Sequence, residues 1–487
     1  MFNFKITEDI NNIIRQGAKN RLTDLEFIEN EIQRFLNSEQ RRHMIVGENY
    51  YRGKHDILKR KRTMDIDGEE VEIKNLPNNR IVDNQYKKMV KQKNNHLLGQ
   101  QFIIKTSETY DETLKQFFDE NFLRTLKNVG KDSLNCGIGW LFVYYNESGE
   151  LTFKRFSPWQ IIPGWADEEH TRLDYAIRIY EVIQYEGKQE NTIQKVEVYH
   201  RGGISRFILE GSKLKPDPDN PAHEPYFFIG EDGYNWDTIP LIPFKYNDEM
   251  PLINNVKSLQ DGINIIHSTF LNNMEEDYRS SILVLIGFGA EVLTQAKKNI
   301  AELGMINIVP DINGKGSLEA IRVEVNAGNF QVILELLKKA LIENAKGYDA
   351  KDDRLGANAN QLNLKSMYND IELDANDTEI EYRASFRNLL YFINLHLSNA
   401  GIGNFEHEEI TIEFNRDMLM NESELIKDIN SDNTLSLLTK LENHPLVNDP
   451  HLELERLKEQ RQEEMQEYQQ STFNPAYESV DDDDEQN

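Results

Sequence analysis

Apolar positions recur along this chain with two different periods, and the switches between them mark out its parts. The longest helical pattern runs from about Asn363 to Ser398. There Leu364, Met367, Tyr368, Ile371, Ala375, Tyr382, Phe386, Leu389, Leu390, Ile393 and Leu397 hold one 3.6-residue stripe. At 1.5 Å per residue this predicts a rod of roughly 50 Å. A polar loop, YDAKDDRLGANANQ from Tyr348 to Gln361, feeds it. Upstream, Thr23-Asp24-Leu25-Glu26 has the form of a capping box before Phe27, Ile28, Ile32 and Phe35. Further helices are predicted over Glu39–Tyr51 and over Ile81–Leu98, the latter ended by Gly99 as its C′ residue. Asp67-Gly68 sits between β-rich runs and predicts a tight hairpin.

From Ile138 to about Pro243 the period becomes two. WLFVYY, LTFKRF, YAIRIYEVIQY, KVEVYH, SRFIL and YFFIG are separated by Gly, Asn, Asp or Pro. This predicts an antiparallel region with a corner at Ser157-Pro158-Trp159. A Pro-rich break leads to a helix over about Ile253–Tyr278 with Val256, Leu259, Ile263, Ile266, Phe270 and Met274 on one face. Strands near ILVLIG, INIVP and LEAIRVE form a small insertion, and a return helix follows from Asn329 to about Lys346. A short strand, EITIEF, precedes helices from Asn421 to about Gln470. The fold class is therefore α+β.

Composition narrows the function. The 487 residues carry a net charge of -28, which disfavours a broad grip on nucleic acid. The lone Cys136 excludes an internal disulfide and reads as a small buried residue. The N-terminal residues lack the pattern of a signal peptide, and the most apolar run, Ile282 to Ala290, falls short of a membrane span, so no membrane partner is expected. The tail from Ser471 to Asn487 carries Glu478, Asp481, Asp482, Asp483, Asp484 and Glu485 and no base, a composition that predicts disorder. No P-loop, HExxH or full dinucleotide fingerprint is present, and no enzyme, metal or cofactor is expected. Adjacent acids such as Glu275-Glu276 and Asp352-Asp353 read as exposed surface. One basic island stands out: Arg52, Lys54, Lys59, Arg60, Lys61 and Arg62, followed by Arg80, Lys87, Lys88, Lys91 and Lys93, its simplest reading a solvated helix face. Together with Lys338, Lys339 and Lys346 it is a candidate for phosphate contact or inter-subunit pairing. The loop residues Asp349, Lys351, Asp352, Asp353, Arg354, Asn358 and Asn360 are mixed in sign, suited to touching a polyanion without holding it.

Several stretches, in this order, resemble the portal proteins of tailed bacteriophages of Gram-positive hosts, the SPP1-type portal family. They are YYRGKHDILKRKR (from Tyr50), PNNRIVDNQYKKMVKQKNNHLLGQ (from Pro77), GIGWLFVYYNESGELTFKRFSPWQIIP (from Gly137), LGANANQLNLKSMYNDIELDAN (from Leu355) and HPLVNDPHLELERLKEQRQEE (from His444). The resemblance implies a wing over 1–252 and stem helices over 253–279 and 329–347. It implies a small α/β clip over 280–328, a tunnel loop over 348–362 and a spine helix with more wing over 363–420. A helical crown over 421–470 and the acidic tail over 471–487 complete the plan. It further implies a closed ring of typically twelve copies at one capsid vertex, through which double-stranded DNA passes inward and outward without sequence specificity. The implied partners are the terminase large subunit, the major capsid or scaffold protein, and head-completion or adaptor proteins. The implied locations are the virion and, during assembly, the host cytoplasm. One departure is Asn360-Gln361, where the family often has Ser-Gly. The competing expectation is another oligomeric capsid or adaptor protein without DNA passage.

Overall fold

A computed structural model describes residues 24–66, 69–73, 76–276, 282–286, 305–308, 317–321, 327–349, 361–416, 422–432, 434–444, 446–447 and 449–472. The chain divides into two compact units, Met1–Asp349 with Asp370–Asp417, and Ala350–Asn369 with Met418–Asn487.

The first unit opens with helices α1 (Asp24–Leu36) and α2 (Glu39–Tyr51), then the hairpin β1 (Thr63–Ile66) and β2 (Glu69–Glu72). Helix α3 (Gln85–Leu98), strand β3 (Ile103–Lys105), α4 (Glu108–Leu114) and α5 (Glu120–Cys136) follow. Gly137 ends α5 in the left-handed region at φ 82°, where a Cβ would strike the Glu249 carbonyl. Strands β4 (Ile138–Tyr145) and β5 (Leu151–Phe156) pair with β14 (Leu241–Lys245) in the order β14-β4-β5. A second antiparallel sheet runs β10-β9-β8-β7-β6. Its strands are β6 (Ile161–Trp165), β7 (Leu173–Glu186), β8 (Gln189–His200), β9 (Gly203–Glu210) and β10 (Lys213–Pro216). β11 (His223–Glu224) adds to β9, and β12 (Phe227–Ile229) pairs with β13 (Asp232–Tyr234). The sheet buries Ile177, Ile179, Val196 and Val198 beneath Ile32 and Phe35 of α1.

Helix α6 (Ile253–Glu276) leads to strands β15 (Ile282–Ile286), β16 (Met305–Ile308) and β17 (Ser317–Ile321). These form a three-stranded sheet in which β15 is parallel to β16 and antiparallel to β17. Helix α7 (Ala327–Asn344) returns, then α8 (Gln361–Asn399) and β18 (Thr411–Glu413), which pairs with β3. From Ile371 onward the predicted stripe of α8 is buried throughout, its Phe386 packed in an aromatic cluster with Phe102, Phe122 and Phe244. The second unit takes the first turns of α8 together with α9 (Glu422–Ser431), α10 (Leu437–Glu442) and α11 (Pro450–Thr472).

Two expectations about α3 are corrected. Residues 77–84 are not helical, and Asn84 caps the helix by accepting from the Lys87 amide at 2.8 Å. Gly99 is right-handed at φ -73°, so it is not a left-handed C′ residue. This stretch is held by a row of polar side chains on α6. The amides of Asn79, Ile81, Asp83 and Tyr86 donate to Asn272 Oδ1 (2.7 Å), Ser268 Oγ (2.9 Å), Asn264 Oδ1 (3.0 Å) and Gln260 Oε1 (2.9 Å). These acceptors recur every fourth residue on one helical face and all are buried. A helix over residues 81–84 would turn the Ile81 and Asp83 amides away from their acceptors.

Asp132 of α5 is wholly buried. Arg155 Nε lies 3.0 Å and Lys131 Nζ 3.6 Å from its oxygens, yet neither oxygen receives an aligned hydrogen bond. Burial outweighs the two cations and pushes its carboxyl up to about 6 from 3.8. The folded state therefore holds this proton while the unfolded state releases it, and the stability contribution is lost as pH rises from about 4 to about 6. Asp132→Asn is expected to be near neutral at pH 4 and to stabilise by roughly 1–3 kcal/mol above pH 7 in urea unfolding.

Candidate functional site at the root of the polar loop

The polar loop leaves the body at the end of α7, where the backbone is closely determined. The Lys346 amide donates to Glu343 O (3.0 Å) and the Gly347 amide to Ile342 O (2.9 Å), with Lys346 left-handed at φ 50°. This is a Schellman closure with lysine at the C′ position, where glycine is usual. A Cβ on Gly347 would lie 2.7 Å from Met89 Sδ and 2.9 Å from Gln92 Oε1, so glycine lets α3 approach. Gln92 then clasps the next residue at two points. Its Nε2 donates to Tyr348 O at 2.9 Å, and its Oε1 accepts the Tyr348 amide at 3.1 Å.

The next residue, Lys93, is buried and places its ammonium 2.6 Å from Asp374 Oδ2 of α8 and 3.3 Å from Lys346 O. Lys346 Nζ lies 3.4 Å from the other Asp374 oxygen, and the Tyr246 hydroxyl donates to that oxygen at 3.4 Å. Burial pulls the Lys93 amine below its ordinary 10.5, and the Asp374 charge opposes the shift. A second bundle lies further along α3 and α8. His96 Nε2 is 2.8 Å from Glu372, and Arg416 bonds Glu372 (2.8 Å), Asn376 (2.6 Å) and Glu379. Burial lowers the His96 imidazole against the pull of Glu372. Helices α3, α7 and α8 are thus tied together where the loop begins.

The candidate residues fall into three groups. Asp349 is the last described residue before the loop, and Lys351, Asp352, Asp353, Arg354, Asn358 and Asn360 lie outside the described residues. Four of the basic candidates have partners within the chain: Arg60 Nη1 reaches Thr269 Oγ1 (3.3 Å), Arg62 Nη1 reaches Pro77 O (2.9 Å), Lys338 pairs with Asp83 (2.8 Å) and Lys346 faces Asp374. Lys61 and Lys339 are exposed. The structure divides these residues: Arg60, Arg62 and Lys338 bond to α6 or to residues 77–83 that run along it, and Lys346 belongs to the loop root. Sequence reasoning missed Gln92, Lys93 as a buried cation, and Asp374. The legible signal was an aspartate beside Ile371 and Ala375 on the apolar side of α8, which demands a buried counter-charge.

Among the described residues no group of His, Cys, Asp and Glu is arranged to hold a metal ion, and no helix is long and apolar enough to cross a membrane. The side chains of the loop root bond to one another and to the backbone where the loop begins. Comparison with known proteins identifies the family. The family model described as "Phage portal protein, SPP1 Gp6-like" matches residues 36–467. The portal protein of Bacillus phage SPP1 is 26% identical over 493 residues, covering 98% of this chain and 94% of that protein. The portal protein of Clostridium phage phiCD119 is 27% identical over 424 residues, covering 84% and 90%. Portal proteins are structural components of the virion and not enzymes, and with a match over most of its length this chain belongs to the phage portal protein family.

Proposed function

We propose that copies of this chain assemble side by side into a closed ring, typically of twelve, at one capsid vertex, and that double-stranded DNA enters and leaves through its centre. The observation that carries this reading is the apolar surface of the α6–α7 pair. The two helices pack on each other through Gly262 against Leu337 and Phe270 against Phe330. Even so, Ile265 and Met274 of α6 and Val332, Ile333 and Leu336 of α7 stay 45–62% exposed. In a chain of net charge -28 such surface fits a neighbour's surface better than water. Contact between different faces of identical copies closes a ring when the rotation permits.

In this reading 253–279 and 329–347, which hold α6 and all but the first two residues of α7, are the stem and 280–328 is the clip, the docking point for the terminase large subunit and later for head-completion or adaptor proteins. The parts at 1–252 and 363–420 form the wing with its spine helix, meeting the capsid or scaffold protein, and 421–470 forms the crown. The loop over 348–362 lines the channel, held at its root by Gln92 and Asp374. An electronegative wall repels phosphate while a few cations limit the repulsion, so the duplex slides.

Electron micrographs of the purified chain are expected to show rings with a hole wide enough for duplex DNA. Leu336→Asp should abolish them with circular dichroism unchanged, and rings persisting in that variant would remove the stem from the interface. Lys351→Ala with Arg354→Ala should leave rings intact and lower the DNA packaged per particle at least several-fold. Normal packaging in that variant would take the loop out of the mechanism.

A further inference from the structure

The face of β7 and β8 that α1 covers continues outward with nothing on it among the described residues. Beneath α1 lie the pairs Ile177↔Val198 and Ile179↔Val196. The same face then carries Glu181↔Gln194, Ile183↔Thr192 and Tyr185↔Glu190, since side chains alternate along a strand. β6 pairs with β7 only through Arg178, and β9 pairs with β8 only from Gln194 onward. Residues 179–193 are therefore a two-stranded arm, with Ile183 54% and Tyr185 67% exposed. Such ribbons are marginal unless an apolar face is covered.

The stretch just before α1 has the matching chemistry. Residues 10–22 read INNIIRQGAKNRL, with Ile10, Ile13 and Ile14 at helical spacing. They carry Arg15, Lys19 and Arg21 and no acid, in a chain of net charge -28, whereas residues 181–190 of the arm carry Glu181, Glu186 and Glu190 against one Lys188. Glu181 also feels Arg41 of α2, which leaves Glu190 as the freer counter-charge. Reach is sufficient. Phe27 of α1 packs on Tyr175 with ring centroids 5.8 Å apart, and Ile183 is eight residues further along β7, about 26 Å. Ten residues from Ile14 to Asp24 span up to about 33 Å.

We infer that residues 10–22 dock on the β7–β8 arm of their own chain, Ile10, Ile13 and Ile14 covering Ile183 and Tyr185 and the three bases facing Glu181 and Glu190. The full-length chain tests this directly, because the native Cys136 is buried and does not compete. Ile13→Cys with Ile183→Cys, treated with a short bismaleimide, is expected to cross-link within one chain and run as a monomer of altered mobility. In a separate full-length variant, Ile10→Asp with Ile14→Asp should speed amide exchange across residues 181–193 at least tenfold and leave residues 196–199 unchanged. A ladder of cross-linked dimers would overturn docking within one chain, assigning the segment to a neighbouring copy. No cross-link together with unchanged exchange would overturn the docking itself.

Discussion

Asp374→Ala is expected to destabilise the protein by about 3–5 kcal/mol at pH 7 in urea unfolding. The substitution leaves the Lys93 ammonium, whose side chain is 3% exposed, without its 2.6 Å partner. A stranded buried cation either stays charged at high cost or gives up its proton. Release from a group of ordinary pKa 10.5 costs about 1.4 kcal/mol per pH unit, which caps the loss near 5 kcal/mol at pH 7. The sign of the pH dependence follows. In the variant the folded state binds fewer protons than the unfolded one, so its stability rises with pH and the deficit should shrink by up to about 1.4 kcal/mol per unit toward pH 9. Lys93→Met combined with Asp374→Leu removes both charges and should recover most of the loss. If the double variant is as unstable as the single one, the pair's role is geometric and not electrostatic. Slackening at this point also frees the start of the loop, because Lys93 holds the Lys346 carbonyl two residues before Tyr348.

Asn264→Leu is expected to cost about 3 kcal/mol, with amide exchange at Asp83 sped at least tenfold. One side chain here serves three partners: Oδ1 accepts the Asp83 amide (3.0 Å) and Gln260 Nε2 (3.1 Å), and Nδ2 donates to His55 Nδ1 (2.8 Å). Leucine fills the space and satisfies none of them. That arrangement also fixes the His55 tautomer, with Nε2 carrying the hydrogen toward Tyr50 O at 3.0 Å. Burial pushes this imidazole below its ordinary 6.5. Its contribution is therefore complete above about pH 6.5 and lost as pH falls below that value, so the difference between Asn264→Leu and the parent should narrow in acid. A loss under 1 kcal/mol would mean that side-chain packing, and not the captured backbone, holds residues 79–86 against α6.

The apolar periodicity made most of the first unit legible. α2 spans Glu39–Tyr51 as expected, strands pair on either side of Asp67-Gly68 (themselves outside the described residues) with Ile66 opposite Glu69, and the three strands of the insertion form one sheet. α8 begins at Gln361, two residues before the expected Asn363. What stayed hidden is polar. Gln260, Asn264, Ser268 and Asn272 repeat every four residues, but a reading keyed to apolar residues assigns such a row to solvent. Its burial follows from a partner 181 residues away that the spacing alone does not reveal. The same oversight moved the start of α3 four residues too early, because residues 81–84 look helical until their amides are counted. In the candidate site, the acidic and basic residues of the loop were visible as types. The lysine that anchors its root looked like one more member of a surface island.

The row of amides and hydroxyls on α6 grips peptide groups, which every residue except proline offers alike. The gripped strand can therefore change its outward side chains freely, while the gripping positions cannot become aliphatic without stranding a donor. Evolutionary drift is thus permitted on one side of this contact and forbidden on the other. Proline is barred from positions 79, 81, 83 and 86, although Pro77 stands just upstream, where no such donor is required.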